Sequence, residues 1–569
     1  MFDIFYKKND NKQLFKDFKK MEINDIQNYI PIYKKFFNLQ ENNYNIINLN
    51  QNFNICGVKE TDKKNIYKCS LNSDKKQIKT TSFFKFSPLI DPVKYIVGKY
   101  DRANDVKSVL PKLSDNTCLK KVLDQNNSAY VDGFFTYLTS NLLHHHKYIH
   151  GLDFYGSFLG IKKNFKVNVF DDLEYLNDSE YFHKNKDVLF TMDDINSDIF
   201  FDGDTRNYKT KLKIDKNISN KSIYSLNNED FDNLFVEQKE EVKTTKLTKQ
   251  LIFEYDISKN SVKSNNSSEC SSRLSYTSNE EFSDDEELEE IIDDFDKDNE
   301  SYESSSESDC SVNSDIECCV NIEDFPVQII CLEKMEATLD SLLEKDMSIE
   351  EWRSCLFQVI MILITYQKMF DFTHNDLHTN NIMFNKTEKE FIYYKFESKY
   401  FKVPTYGRLY KIIDFGRAIY TFKGKFICSD SFHPKGDAAT QYNIEPYFNK
   451  NKPRLKPNPS FDLCRLACSL YDYFLGDFDE DDNINTCGNP IAILINKWCT
   501  DDKGRNILYK KCGEERYPEF KLYKMIARTV HNHTPQAQLD NLIFDKYKIN
   551  RKKANKKKIL DIDKLPVYV

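Results

Sequence analysis

Acidic and amide side chains occur in two short stretches whose residue types suit the handling of a metal ion and a hydroxyl proton. The first stretch, His-Asn-Asp-Leu-His-Thr-Asn-Asn, occupies residues 374–381, and the second, Ile-Ile-Asp-Phe-Gly, occupies residues 412–416. Carboxylate and amide oxygens are ligands that Mg²⁺ prefers, so Asp414 and Asn381 are candidate metal ligands. Asp376, in the same loop as Asn381, is a candidate for accepting or orienting the proton of an acceptor hydroxyl.

The order of the two stretches, and the elements around them, fit phosphoryl transfer. A long apolar segment at 349–370 predicts a helix before the first stretch, and runs at 382–384 and 409–413 predict strands before the second. The strings match the H-x-D-L-x-x-x-N and D-F-G patterns. Each string alone is a weak signal, but both in this order and context are specific. Phosphoryl transfer mainly requires charge neutralisation and in-line positioning, which metal-bound carboxylates and one base can supply.

With both strings in place, the chain resembles a eukaryotic-type protein kinase, and most closely the serine/threonine kinases encoded by large nucleocytoplasmic DNA viruses. The resemblance covers about residues 44–535. It implies an α+β, bilobal protein-kinase fold with a small β-rich N-lobe, a larger helical C-lobe and a long, partly disordered insertion. It also implies ATP and Mg²⁺ as cofactors, and transfer of the γ-phosphoryl group to Ser or Thr of a protein substrate.

The resemblance assigns supporting roles in the larger lobe. His374 is expected to lie beneath the catalytic loop and tie it to the D-F-G turn, where Gly416 would permit an unusual backbone. Asp462, in an apolar segment that starts near Phe461, is expected to accept hydrogen bonds from the catalytic-loop backbone; an ordinary core helix with an acidic N-terminus is the alternative. The strand at 327–333 would be the hinge, with Glu333 to Met335 offering backbone groups to adenine.

In the small lobe, the resemblance calls for a strand lysine that holds the α- and β-phosphates. Lys85 is the candidate, because strand alternation directs its side chain away from those of Phe84 and Phe86. Lys79 is the rival, and a solvated strand lysine is the simpler alternative. The acidic partner of this lysine would be Asp132, on the helix that apolar periodicity predicts at 129–143.

Several positions depart from the kinase pattern and keep other functions open. Gly57 is the only glycine between residues 44 and 85, so the glycine-rich phosphate lid is absent. Asn375 replaces the arginine that commonly receives an activation-loop phosphate, which suggests activity without that modification. His378 replaces the lysine that contacts the γ-phosphate, and the A-P-E landmark is missing. A small-molecule phosphotransferase of the same fold and a catalytically silent pseudokinase that acts as a binding module therefore remain alternatives.

Composition and charge divide the chain into segments. Residues 1–43 are expected to be an N-terminal extension, 44–160 the N-lobe, and 161–324 an insertion within that lobe. The acidic serine-rich part of the insertion, about 258–318, buries too little apolar surface to offset its ordering entropy and is predicted to be disordered. The hinge and C-lobe follow at 325–535, and a basic tail at 536–569.

The same features bear on partners and compartment. The net charge is −8, and the 15 cysteines form no paired C-x-x-C arrangement, which favours reduced thiols. The longest apolar run, 355–366, is shorter than the roughly twenty residues of a membrane span. We therefore expect a protein outside membranes, in the cytoplasm, meaning host cytoplasm or virus particle if the chain is viral. The basic tail lacks interleaved aromatic residues, so nucleic acid is not expected as a partner; the oligomeric state is left open.

Overall fold

The computed structural model describes residues 2–73, 76–100, 109–114, 117–192, 318–345, 347–476, 488–511, 513–518, 520–554 and 558–569. Apart from Cys318, the segment predicted to be disordered at 258–318 lies outside these residues. The described chain is a mixed α+β structure with a curled antiparallel sheet. Among its helices, none combines the length and apolarity that crossing a membrane requires.

The part before the 193–317 gap contains most of the main sheet. Its strands are β1 (Tyr6–Lys8), β2 (Ile23–Gln27), β3 (Ile47–Leu49), β4 (Asn54–Lys59), β5 (Ile66–Asn72), β6 (Gln77–Pro88), β7 (Phe154–Lys162), β8 (Phe165–Asn168) and β9 (Phe190–Met192). Its helices are α1 (Lys12–Lys20), α2 (Pro92–Ile96), α3 (Lys120–Leu123), α4 (Ser128–His146), α5 (Leu173–Asn177) and α6 (Glu180–Asn185).

The part after the gap contains the longest of the described helices. Its strands are β10 (Cys319–Ile322), β11 (Phe325–Glu333), β12 (Ala337–Thr338), β13 (Ile382–Lys386), β14 (Phe391–Phe396), β15 (Lys399–Pro404), β16 (Arg408–Ile412), β17 (Ile419–Phe422), β18 (Lys425–Cys428), β19 (Lys548–Ile549) and β20 (Ile559–Asp561). Its helices are α7 (Ile349–Phe370), α8 (Phe461–Cys468), α9 (Tyr471–Leu475), α10 (Pro490–Trp498), α11 (Phe520–Thr529) and α12 (Pro535–Gln538).

The main sheet is antiparallel and has the strand order β2-β7-β11-β6-β5-β4. One face of the sheet carries the buried residues Phe84 and Ile329, and α4 contacts β7 and β11 on the other face, where Gly133 lies against Ile330. The strand predicted at 83–86 and the helix predicted at 129–143 are therefore confirmed as parts of β6 and α4. Strand β2 also belongs to this sheet, so the boundary expected after residue 43 falls within the segments that build it.

Helix α7 matches the predicted range 349–370. Its start is fixed by a capping box, in which Ser348 and Glu351 exchange side-chain and backbone hydrogen bonds that satisfy N–H groups of the first turn. Almost all of its side chains are buried, so packing rather than intrinsic propensity stabilises it. Shortly before it, residues Asp340–Lys345 form a 3-10 helix.

The C-terminal residues fold onto an inserted hairpin. Strands β14 and β15 form this hairpin between β13 and β16, β20 pairs with β14 in parallel, and β19 pairs with β15. Lys395 in β14 contacts Asp561 and Asp563 at 3.1 and 3.0 Å. The described part of the predicted basic tail is thus held on the hairpin by strand pairing and by its own acidic residues.

Candidate active site

Lys85 lies between two carboxylates that come from distant parts of the chain. Its Nζ is 2.7 Å from Asp132 Oδ2 and 2.8 Å from Asp414 Oδ1. The Lys85 side chain is 17 % exposed and that of Asp132 only 4 %, so the pair is largely removed from water. The contact between Lys85 and Asp132 that the resemblance implied is present. Lys79, the rival lysine on β6, is exposed.

Helix α4 brings Asp132 to this point because a glycine follows it. A Cβ placed on Gly133 would collide with the amide of Gln328 in β11, and Gln328 is itself held by a hydrogen bond to Ser157 Oγ at 2.7 Å. The glycine therefore lets α4 approach the sheet closely. The Asp132 carboxylate also accepts a hydrogen bond from the Phe415 N–H at 2.9 Å, which ties α4 to the D-F-G turn.

Asp462 supports the backbone of the loop at residues 374–381. Its two carboxylate oxygens accept hydrogen bonds from the backbone N–H groups of His374 and Asn375, each at 2.9 Å, and its side chain is fully buried in the first turn of α8. Asn375 has a left-handed backbone, with φ +64°. Such a conformation is costly for a residue with a side chain and needs support from the surrounding structure, which these hydrogen bonds provide. The contact expected of Asp462 is present.

His374 connects the loop at residues 374–381 to the D-F-G turn. The ring is fully buried, and its Nε2 is 2.9 Å from the Ile413 carbonyl oxygen. The next residue, Asp414, has the left-handed backbone of the turn, with φ +62°. The sequence placed the unusual conformation near Gly416, whose φ is not in the left-handed region. The turn is thus made by the candidate metal ligand itself.

Asn381 is oriented by its amide nitrogen. The Nδ2 group donates to the Asp376 carbonyl oxygen at 2.8 Å and lies 3.0 Å from His378 Nε2. With both N–H bonds directed at these acceptors, Oδ1 is the atom left for a cation. Asn381 also accepts the Ile413 N–H on its carbonyl oxygen at 3.0 Å, so it lies beside the residue that precedes Asp414.

The side-chain oxygens of Asp414 and Asn381 suit Mg²⁺ better than a metal ion whose ligands all come from the protein. One carboxylate, from Asp414, and one amide oxygen, from Asn381, come from adjacent strand ends. Nowhere in the described ranges do three His, Cys, Asp or Glu side chains cluster to hold a metal. Mg²⁺ commonly uses one or two protein oxygens and completes its octahedron with phosphate oxygens and water. The two side chains suit an ion that arrives with a nucleotide.

Asp376 is held as a carboxylate. Its Oδ1 accepts a hydrogen bond from the Tyr523 hydroxyl at 2.8 Å and lies 3.6 Å from an Arg417 nitrogen. Burial raises the pKa of Asp376, but Arg417 and the other cationic and hydroxyl neighbours outweigh burial and hold this pKa below its ordinary value. The group is therefore ionised at neutral pH, as a group that accepts or orients a hydroxyl proton must be.

His378 is neutral at the same pH. Burial lowers its pKa to about 4, and its Nε2 faces the Asn381 amide N–H as an acceptor. A lysine at this position would bring a full positive charge, whereas this histidine brings none. The departure from the kinase pattern is therefore also an electrostatic one.

At the predicted hinge, both carboxylate oxygens of Glu333 accept hydrogen bonds from other residues of the protein. Its carboxylate accepts hydrogen bonds from the Asp153 N–H at 2.8 Å, from the Asn385 amide at 2.7 Å and from Lys411 Nζ. Met335 is 7 % exposed. The Glu333 N–H also donates to the Asp153 carbonyl oxygen at 2.9 Å. The expected contact between the backbone of this segment and an adenine stays a prediction.

Comparison with known proteins adds no assignment: no protein family model matches the sequence, and no curated protein is significantly similar to it.

Sequence reasoning missed Tyr523 and the role of Arg417. Arg417 follows the D-F-G string directly and pairs with Asp437 at 2.6 Å, so its position offered a signal. Tyr523 lies in α11, almost 150 residues after Asp376, in a segment without a recognisable motif. Its contact with Asp376 depends on how α8 and α11 pack and leaves no local pattern in the sequence.

Proposed function

We propose that this chain is an ATP- and Mg²⁺-dependent protein kinase of bilobal fold that transfers the γ-phosphoryl group to Ser or Thr of protein substrates. The observation that carries the proposal is the position of Lys85, which contacts Asp132 at 2.7 Å and Asp414 at 2.8 Å. A lysine between a helix carboxylate and a candidate metal ligand is the arrangement that kinase-type phosphoryl transfer requires. The antiparallel sheet, with α4 between β6 and β7 along the chain, and the long buried helix α7 that follows the sheet support the fold.

Each residue then has a role that follows from its surroundings. Lys85 would neutralise and orient the α- and β-phosphates, and Asp132 holds it in place. Asp414 and Asn381 would hold Mg²⁺, which when bound with ATP neutralises the phosphate charge that develops during transfer. Asp376, ionised at neutral pH, would accept or orient the proton of the acceptor hydroxyl.

A small-molecule phosphotransferase of the same fold is a second candidate, and the neutral His378 favours it. The turn between β4 and β5, residues 60–65, contains no glycine, so the backbone there cannot follow a glycine-rich phosphate lid. A pseudokinase is disfavoured, because the candidate base, metal ligands and lysine are all retained and in contact with the groups that would orient them.

The decisive experiment measures Mg²⁺-dependent ATP turnover by the full chain with acidic and basic proteins, and with a panel of aminoglycosides and choline. Loss of a positioned base or of a metal ligand is expected to reduce turnover by about 10²-fold or more for Asp376→Ala and for Asp414→Ala. Asp472→Ala is the matched control, because Asp472 is an exposed aspartate whose side chain accepts a hydrogen bond from Tyr509.

Turnover that survives both substitutions would refute the assigned site. Phosphorylation of the small molecules but of no protein would favour the second candidate. Mg²⁺-dependent ATP binding without any turnover would favour the pseudokinase.

A further inference from the structure

Asp430, in the segment that follows Asp414, connects this segment to the N-terminal end of α4 through its side-chain carboxylate. Asp430 Oδ1 accepts the Ser128 N–H at 2.9 Å, and Asp430 Oδ2 is 2.6 Å from Lys121 Nζ. The Asp430 N–H donates in turn to the Asn126 carbonyl oxygen at 2.7 Å. Asp430 is 6 % exposed. One buried aspartate therefore contacts the first residue of α4, Ser128, and two residues that precede this helix: Lys121 in α3 and Asn126 in the connection.

The contact between Asp430 and Ser128 lies one helical turn from Asp132 of the candidate active site. Ser128 and Asp132 are four residues apart in α4, so they lie on the same face of the helix, about 6 Å apart along its axis. The first N–H groups of a helix have no partner within it, and the helix dipole favours an anion there. The Asp430 carboxylate meets both conditions and holds the end of α4 that carries Asp132 to Lys85.

Two further contacts hold the segment that follows Asp414 in place, and neither requires a phosphorylated residue. Asp437 pairs with Arg417 at 2.6 Å, and the Tyr442 hydroxyl donates to Asn375 Oδ1 at 2.8 Å. Asn375 stands where the kinase pattern has a phosphate-receiving arginine, and its amide nitrogen donates to the Arg417 carbonyl oxygen at 3.1 Å. An uncharged side chain engaged in this way offers no cation to an added phosphate.

The hydroxyl groups beside Asp430 are also poorly placed for modification. Ser429 is fully buried and Ser431 is 7 % exposed. The Ser429 hydroxyl accepts a hydrogen bond from the Ser431 N–H at 3.2 Å. A phosphate on either serine would have to be buried beside the Asp430 carboxylate, and such a like-charge contact is unfavourable.

We propose that Asp430 is a positioning residue that keeps α4 in its working place, so that the site needs no phosphorylation of the segment between Asp414 and Tyr442. The inference rests on the proposed function for its catalytic consequence. Asp430 acts through Lys121 and the α4 N-terminus on Asp132, and through Asp132 on Lys85. Its carboxylate supplies the negative charge that an added phosphate would otherwise bring.

The test compares the full chain before and after phosphatase treatment, with its modification state checked by intact mass. We expect kcat to stay within twofold after treatment, and Asp430→Ala to lower kcat at least tenfold. Asp430→Asn should lower it less, because an amide oxygen can still accept from Ser128. Adding Lys121→Met to Asp430→Asn should cause no further loss, since both act through one contact. Thr440→Ala, at an exposed residue of the segment, is the control and should leave kcat unchanged.

Hydrogen exchange supplies a readout that does not depend on turnover. Amides in the first turn of α4 should exchange at least tenfold faster in Asp430→Ala, with little change in α10. Full activity of folded Asp430→Ala, loss of activity on phosphatase treatment, or unchanged exchange in α4 would each overturn the inference. If the wild-type chain has no turnover that depends on Asp414, the proposed function fails. Faster exchange alone would then make Asp430 a structural contact and overturn its assignment as a positioning residue.

Discussion

Replacing Lys85 with methionine tests the candidate site through stability, without any assumption about substrate. The substitution keeps the length and apolar stem of the side chain but removes the ammonium group that lies within 3 Å of both Asp132 and Asp414. Two carboxylates then face one another, and Asp132 is 3 % exposed. Burial already raises the pKa of Asp132, and loss of the ammonium would raise it further.

The magnitude follows from the burial of the three groups. Removing one partner of a fully buried ion pair costs about 3–5 kcal/mol. Lys85 is 17 % exposed and Asp414 20 %, so water screens part of the interaction. We therefore expect Lys85→Met to lower the free energy of unfolding by about 3 kcal/mol, the lower end of that range. Urea unfolding followed by circular dichroism measures this difference.

A second substitution tests whether the loss of stability comes from repulsion between the two carboxylates. Asp132→Asn removes one of the facing charges while its amide oxygen can still accept the Phe415 N–H. The double variant should therefore be more stable than Lys85→Met alone, by about 2 kcal/mol. Lys79→Met, on the same strand but exposed, should change stability by at most about 0.5 kcal/mol. The reasoning is refuted if Lys85→Met matches the Lys79 control, or if the double variant is no more stable than the single one.

Two other predictions concern residues that support the site, and a third concerns a buried histidine of the core. Asp462→Ala leaves two buried N–H groups without acceptors and should destabilise by about 3 kcal/mol in urea unfolding, with loss of turnover, whereas exposed Asp472→Ala should not. Gly133→Ala should destabilise by about 1–2 kcal/mol through overpacking, and by less when Gln328→Ala makes room for the added methyl group. His150, fully buried with its pKa lowered to about 3, stays neutral when folded but protonates below pH 6.5 when unfolded. The contribution of neutral His150 to the free energy of unfolding is therefore complete above pH 6.5, and about 2 kcal/mol of it is lost between pH 7 and pH 5. Over this pH range, the urea midpoint of His150→Gln should fall less than that of the wild type.

Sequence reasoning succeeded where local pattern decides structure. The bounds of α7 follow from a capping box at Ser348 and a continuous apolar run, and both are local. The resemblance implied that a strand lysine pairs with an acidic residue on a helix. Local pattern supplied the two candidates, since Lys85 lies in a strand with alternating burial and Asp132 is the single acidic residue of an apolar helix.

It failed where distant segments meet. Strand β2 joins the main sheet by pairing with β7, more than 130 residues later in the chain. Its own sequence, Ile-Asn-Asp-Ile-Gln, is too polar to predict a strand. The left-handed backbone at Asp414 was assigned to the neighbourhood of Gly416, because glycine is the usual residue for such a conformation. A non-glycine residue takes it here, which makes the D-F-G turn a place where surrounding contacts override local preference.

The distance along the chain between Asn381 and Asp414 shows why register matters more than spacing. Residues 387–407 separate β13 from β16 and include the whole β14–β15 hairpin. The two flanking strands nevertheless pair antiparallel, with Ile382 opposite Ile412, so the residues just outside the pair meet at one end. An insertion at the far end of a hairpin lengthens the chain without moving that end, because the cross-strand hydrogen bonds fix it. A metal site built from Asn381 and Asp414 therefore tolerates an insertion of any length at the far end of β13 and β16, whereas a one-residue shift in their pairing would separate the two oxygens.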